Sequence, residues 1–212
     1  MEQSQNRPQG QNRPQGQNRL SDKELMERFL RGEVEGFNLL VQNYKVKLYN
    51  LLYRLLGNRE EAEDILQETF LRVYRERESY DFNYSFSTWI YTIALNLFKN
   101  VYKKRKRVRF TGIDALLNRP DPNSENFGNK NRLNTILERA MFSLPLKYKS
   151  VFILREVEQL SYEEVALTLN LPLGTVKSRV NRARRILQKR LRPMMEECYE
   201  LSKNSPLSIP IL

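Results

Sequence analysis

Histidine is absent from the 212 residues, and cysteine occurs once, as Cys198. The first absence excludes Ser-His-Asp and Cys-His nucleophilic catalysis and any histidine-ligated metal. The second excludes an internal disulfide and a cysteine-rich zinc site, and it fits a reducing compartment. No run of 18 apolar residues occurs, so no segment is expected to span a bilayer as a helix. The opening residues, MEQSQNRPQG, lack the apolar core of a secretory signal. A cytoplasmic protein is expected, with no cofactor.

Positive charge is what the sequence has in excess. Lys and Arg number 36 against 25 Asp and Glu, a net charge of +11. Such a balance points to nucleic acid, with an anionic membrane surface as the alternative. The charge is concentrated in two places. Residues 99–109, KNVYKKRKRVR, carry seven basic side chains and no acidic one, and residues 172–192 carry eight and none. Two separate basic stripes read as two nucleic-acid contacts. Two solvated helix faces are the bland alternative, although such faces usually mix both signs. Residues 60–71, EEAEDILQETFL, run the other way, with five acids and no base.

Residues 5–19 repeat the hexapeptide QNRPQG without an aliphatic or aromatic side chain. Nothing there can enter a core, so a disordered tail is expected over 1–20. Ser21-Asp22-Lys23-Glu24 has the form of a capping box that opens a helix. Apolar residues then recur at helical spacing through four segments. The last of these aligns Phe86, Trp89, Ile90, Ile93, Ala94, Leu97, Phe98, Val101 and Tyr102 on one stripe. The periodicity breaks over 109–130, where Gly112, Pro120, Pro122 and Gly128 mark a flexible linker. It resumes over 131–193, with a second capping box at Ser161–Glu164, a turn at Asn170–Gly174 and a helix from about Thr175 to Leu191. Helix, glycine-containing turn, helix is the helix-turn-helix layout. The expected fold is all-α: two small helical domains, 21–108 and 131–193, with a C-terminal tail over 194–212.

On the last helix Val176, Val180, Ala183 and Leu187 share one face, and Ser178, Asn181, Arg182, Arg185 and Lys189 lie opposite. The outer face fits a major groove, where Arg bridges guanine and Asn bridges adenine. Pro172 and Gly174 shape the approach, and Thr175, Lys177, Ser178, Asn181 and Arg182 are the expected readers. Arg184, with Arg190 and Arg192, fits phosphate contacts, and Arg185 lies on the same groove-facing side. The stretch SYDFNYSFSTW brings together Tyr80, Phe82, Tyr84, Phe86 and Trp89. Thr92, Asn96, Lys99 and Lys103 follow on a polar stripe. Stacking rings, an amide and lysines are the inventory of a single-strand site. Phe86 and Trp89 also fit the core stripe, whereas Tyr80, Phe82 and Tyr84 fit either role. The acidic helix offers Glu60, Glu61, Asp64 and Glu68 beside Gln67. Its carboxylates could hold Mg²⁺, dock a basic partner, or be solvated near the helix N-terminus.

Three segments, NREEAEDILQETFLRVYRE, FSTWIYTIALNLFKN and LSYEEVALTLNLPLGTVKSRVNRARRIL, together resemble bacterial sigma factors of the extracytoplasmic-function group. The resemblance covers residues 21–108 as sigma domain 2 and 131–193 as sigma domain 4. It implies a transcription initiation factor, not an enzyme. It implies that Glu61, Asp64, Gln67, Glu68 and Phe70 dock on the β′ clamp helices of core RNA polymerase. It implies that the Ser79–Ser87 loop with Asn96, Lys99, Asn100 and Lys103 captures the melted −10 element. Domain 4 would read the −35 element and meet the β flap, the linker would thread toward the RNA exit channel, and an anti-sigma factor would be the regulator. Asn181 falls at a variable place in the reading helix, so no base preference carries over to it. A stand-alone helix-turn-helix regulator and a Mg²⁺ nuclease are the rivals.

Removing residues 1–19 is expected to leave cooperative thermal unfolding unchanged, because nothing in that segment can be buried. A lower midpoint for the truncated chain would refute the disordered-tail expectation.

Overall fold

The computed structural model describes residues 20–110 and 132–203, all of whose regular structure is helical. The QNRPQG repeat, the centre of the linker and the last nine residues lie outside the described residues. Helices α1 (Asp22–Leu30), α2 (Val34–Leu56), α3 (Arg59–Arg75) and α4 (Phe86–Phe110) form the first domain. Helices α5 (Arg132–Phe142), α6 (Leu146–Phe152), α7 (Tyr162–Leu169) and α8 (Leu173–Lys203) form the second. A π-helical turn, Ile153–Val157, extends α6.

Local chemistry sets the helix ends. Both capping boxes form: the Ser21 and Ser161 hydroxyls accept from the Glu24 and Glu164 amides, and each glutamate returns a bond to the serine amide. Gly57 closes α2 in the left-handed region, at φ 69°. The next residue, Asn58, opens α3 by accepting from the Glu61 amide at 2.9 Å. Adjacent stop and start residues fold α3 back against α2. Gly36 lets α1 and α2 touch: a Cβ there would lie 2.5 Å from the Leu25 carbonyl oxygen.

Two boundaries differ from the sequence expectation. The residue that turns the chain between α7 and α8 is Asn170, at φ 54°, and Gly174 sits inside the first turn of α8. Asparagine tolerates the left-handed region, so glycine is not required there. The Pro172 carbonyl accepts from the Thr175 and Val176 amides at 2.9 and 3.1 Å, which starts the helix two residues earlier than expected. At the other end α8 passes through Pro193 to Lys203, well beyond the expected helix end near Leu191. The ten residues after Pro193, MMEECYELSK, are mostly strong helix formers and carry the helix beyond the proline.

The core of the first domain is built from apolar stripes of helical period. Leu40, Leu48, Leu51 and Leu52 of α2 are fully buried against Ile90 and Ala94 of α4 and Ala62 of α3. Each such leucine contributes about 1.5–3 kcal/mol by burial. The same apolar cluster continues into the second domain through Val151, Ile153, Leu154, Leu160, Val165, Val176 and Val180. A smaller cluster joins Ala140, Met141 and Leu144 to Ala183 and Leu187.

The domains therefore pack on each other, α7 against α4 and the α5–α6 pair against α2. Lys149 of α6 lies in this joint, only 7% exposed. Its ammonium donates to the Arg54 carbonyl at 3.3 Å, capping the end of α2, and sits 5.4 Å from the Phe142 ring centre. Burial pushes its pKa from 10.5 down to about 8.

A separated or unfolded chain holds the Lys149 proton up to pH 10.5, whereas the packed chain releases it near 8. The packed form is therefore penalised below pH 8 by about 3 kcal/mol and gains stability as pH rises through that window. Lys149→Met is expected to remove this rise and to raise stability at pH 7 by about 1–2 kcal/mol, since the orphaned Arg54 carbonyl offsets part of the gain. Thermal unfolding across pH 7–10.5 checks it; an unchanged slope would reject this origin.

Candidate nucleic-acid interface

Three surfaces carry the residues singled out by sequence. On α8, Val176, Val180, Ala183 and Leu187 are buried, and burying them turns Lys177, Ser178, Asn181, Arg182 and Arg185 outward. Hydroxyl, amide and guanidinium groups thus line one side of a helix near its N-terminal end. Pro172 and Gly174 are exposed beside them, and Thr175 is half-buried with its carbonyl accepting from the Ser178 hydroxyl at 2.9 Å. Arg184, expected on phosphate, is tied instead to Glu156 at 2.6 Å. Arg190 donates to the Ser143 hydroxyl at the end of α5.

The second surface surrounds the loop between α3 and α4. Its five rings do not act as one group. Phe86 is 2% exposed and belongs to the core, where it meets Tyr44 edge-on at 5.2 Å. Trp89 is half-buried against Tyr80 and Phe86. Tyr80, which the sequence left open, is buried as well. Its hydroxyl donates to the Tyr84 carbonyl at 2.8 Å and its ring meets Phe82 at 4.8 Å. Tyr80 therefore has no face to offer a base; it shapes the loop. Phe82 and Tyr84 remain exposed, at 38% and 48%. The Asp81 carboxylate holds the loop by accepting from the Asn83 amide at 2.9 Å.

Along α4 from that loop, Asn96, Asn100 and Lys103 are exposed. Lys99 is half-buried and donates to Asn96 Oδ1 at 3.4 Å. Two free rings thus stand at the head of a polar, cationic stripe. Lys23 joins them from α1, its ammonium 6.0 Å from the Phe82 ring centre. Sequence reading missed Lys23, because nearly sixty residues separate it from the loop and only packing of α1 brings it there.

The third surface is α3. Asp64 and Gln67 are exposed and share a stripe with Glu60. Glu61 is not free: Arg105 of α4 binds its carboxylate, donating from Nε at 2.8 Å. Glu68 pairs with Arg72 at 3.0 Å within the helix. Phe70 is half-buried against Phe37. The stripe continues into Leu71, 48% exposed, and Tyr74, 42% exposed. The helical period of α3 groups Tyr74 with the inward residues Ala62, Ile65, Leu66 and Val73 and gives no signal for Leu71, yet both are exposed. Among the described residues no group of three or more Cys, Asp or Glu side chains is placed to hold a metal ion, and no helix is long and apolar enough to cross a membrane.

Comparison with known proteins follows the same division. Residues 40–108 match the family model for Sigma-70 region 2, and residues 134–187 that for Sigma-70, region 4. The chain is 35% identical to the ECF RNA polymerase sigma factor SigW of Bacillus subtilis, over 81% of this chain and 97% of that protein. It is 36% identical to the ECF RNA polymerase sigma-E factor of Haemophilus influenzae, over 83% and 98%. Among solved structures it resembles the sigma factor RpoE of Bartonella quintana in complex with the anti-sigma factor NepR. That match has a TM-score of 0.60 at 25% identity and covers 78% of this chain and 98% of that one. Two helical domains in this order, at this likeness over nearly the full length of the relatives, place the chain in the family of ECF RNA polymerase sigma factors.

Proposed function

We propose that this sigma factor is the promoter-specificity subunit of a bacterial RNA polymerase, acts in the cytoplasm at the nucleoid and catalyses no reaction of its own. The observation that carries this reading is the separation of three chemically distinct faces on one chain. The α8 face presents donors that suit duplex base edges. The Phe82–Tyr84 loop and the Asn96–Lys103 stripe suit unpaired bases and their backbone. The α3 stripe, acidic at Glu60 and Asp64 and apolar at Leu71, suits a protein surface rather than DNA.

In this reading residues 21–108 dock on the β′ clamp helices through Asp64, Gln67 and Leu71, with Glu61, Glu68 and Phe70 holding the face in shape. The same domain captures the melted −10 strand by stacking on Phe82 and Tyr84, with Tyr80, Phe86 and Trp89 positioning the loop. Binding only the unstacked form shifts the closed–open equilibrium toward melting. The second domain reads the −35 duplex through Lys177, Ser178, Asn181, Arg182 and Arg185, and meets the β flap. An anti-sigma factor controls the chain, a reading supported by the likeness to a sigma factor solved with one.

The test mixes the chain with bacterial core RNA polymerase, follows co-elution and maps transcripts from genomic fragments. Co-elution with new, defined start sites is expected. A dimer that binds duplex DNA and ignores polymerase would make this an ordinary helix-turn-helix regulator. On the promoter so found, Arg182→Ala is expected to cost about 1–3 kcal/mol and to relax specificity at one base pair. An equal loss on every sequence would reassign Arg182 to phosphate. Asp64→Lys is expected to abolish polymerase association while duplex binding persists; unimpaired association would reject the docking face.

A further inference from the structure

The stretch that joins α3 to α4 lacks the charge that its proposed ligand needs. Residues 76–86, ERESYDFNYSF, carry Glu76, Glu78 and Asp81 against one basic residue, Arg77. A strand of nucleic acid brings a negative charge with every phosphate, so a stretch of this sign repels it. Arg77 does not correct the balance. Its guanidinium lies against the rings of Phe29 and Tyr74, at 5.5 and 5.4 Å, and donates to the Tyr74 carbonyl at 3.0 Å. The lysines of α4 begin at Lys99, thirteen residues past Phe86, or ~20 Å along the helix axis. A base stacked on Phe82 or Tyr84 therefore finds no counter-charge on α4 for its own phosphate.

Lys23 supplies that charge from another helix. It stands exposed in the first turn of α1, its ammonium 6.0 Å from the Phe82 ring centre. The turn that carries it is anchored. Leu25 and Met26 are buried, and the Asp22 carboxylate accepts from the Tyr44 hydroxyl of α2. Tyr44 in turn packs on Phe86 at the head of α4. The core that sets the loop thus also sets the rotation of α1. Both carboxylates beside Lys23 are engaged elsewhere: Asp22 by Tyr44, and Glu24 by the Ser21 amide and hydroxyl at 2.7 and 2.8 Å. Among the described residues Lys23 pairs with no carboxylate. Its own helix gains nothing from it, since a cation in the first turn opposes the macrodipole. An unpaired cation is therefore held beside a half-free ring, where a nucleotide stacked on that ring would carry its phosphate.

We propose that Lys23 of α1 belongs to the −10 site, where its ammonium holds the phosphate of the nucleotide whose base stacks on Phe82. Lys23 has this role only if the loop captures a single strand, so the proposal rests on that reading. In the free chain the Phe82 ring holds the ammonium in place. On binding, two elements act on one nucleotide: the loop takes its base and α1 takes its phosphate. Stacking alone tolerates any sequence and any offset along the strand. A phosphate fixed beside the ring sets the register, and with it which base arrives at Phe82. A paired duplex cannot lay a base on the ring and its phosphate on the lysine together. Lys23 therefore adds to the preference for the melted form.

The experiment loads the full-length chain onto core RNA polymerase and titrates an end-labelled single strand by fluorescence anisotropy across a salt series. The strand is the non-template sequence over the −10 element of a mapped promoter, about 12 nucleotides long. Lys23→Met keeps the stem and removes the charge. It is expected to weaken binding roughly threefold at low salt and to flatten the plot of log K against log salt by about 0.7, the share of one phosphate on a single strand. Lys23→Arg should keep the parental slope. Lys23 is exposed, so neither change reaches the core. An unchanged slope in Lys23→Met, or a loss equal at every salt concentration, would overturn the proposal and leave Lys23 as a brace for the ring. A slope that Lys23→Arg fails to keep would overturn it too. Phe82→Ala combined with Tyr84→Ala tests the loop itself and should cut affinity by about tenfold or more. Normal binding by that double variant would refute the −10 reading of the loop and the proposal with it. Lost binding there, with an unchanged slope in Lys23→Met, would refute the role of Lys23 alone. Core polymerase that takes up no chain would refute the sigma reading, and the same salt series on the free full-length chain would still decide whether Lys23 meets a phosphate.

Discussion

Helix α4 has to serve opposite solvents on its two sides, and the other elements are arranged around that demand. Phe86, Ile90, Ala94 and Phe98 are buried and hold α1, α2 and α3 to it. Asn96, Asn100 and Lys103 face water on the other side. An apolar stripe of this width fixes the rotation of the helix about its axis. The polar stripe is thereby aimed without any contact of its own. Tyr91 lies between the two sides, its ring 6.2 Å from that of Tyr44 and its hydroxyl on Glu158 of the second domain.

Charge follows the same division of labour. Some basic residues of α4 and α8 are paired within the chain. Arg105 neutralises Glu61 across two helices, and Arg184 neutralises Glu156, so both leave the interaction faces. Lys177, Arg182 and Arg185 face outward near the N-terminal end of α8, and Glu60, Glu63 and Asp64 face outward on α3. Internal pairing trims each charged run to a smaller face of one sign. A basic face on α8 and an acidic stripe on α3 then coexist on one small chain.

Much of the fold was legible because helix formation is local. The serine–glutamate boxes, the Gly57-Asn58 junction and the 3.6-residue stripes are all set by neighbours within four positions, and both boxes formed as expected. The candidate site was legible at the level of segments. It was less so at the level of side chains. Tyr80 and Tyr84 look alike in sequence, yet one is buried and donates its hydroxyl to the other's carbonyl. Glu61 and Asp64 look alike in the acidic run, yet only one meets an arginine from another helix. Leu71 gave no signal, since an exposed leucine and a core leucine share the same periodicity.

The sequence by itself determined an all-helical chain of two domains, the two serine-capped helix starts and the segments that carry the candidate faces. These depend on dihedral preference, capping and amphipathic period, which act over a few residues. Tertiary structure alone decided which rings and carboxylates stay free, that Lys23 stands beside Phe82, and that Glu158 and Glu164 close the second domain onto the first. Each of those outcomes pairs residues some tens of positions apart. Their meeting is set by how apolar faces stack, which no local pattern encodes.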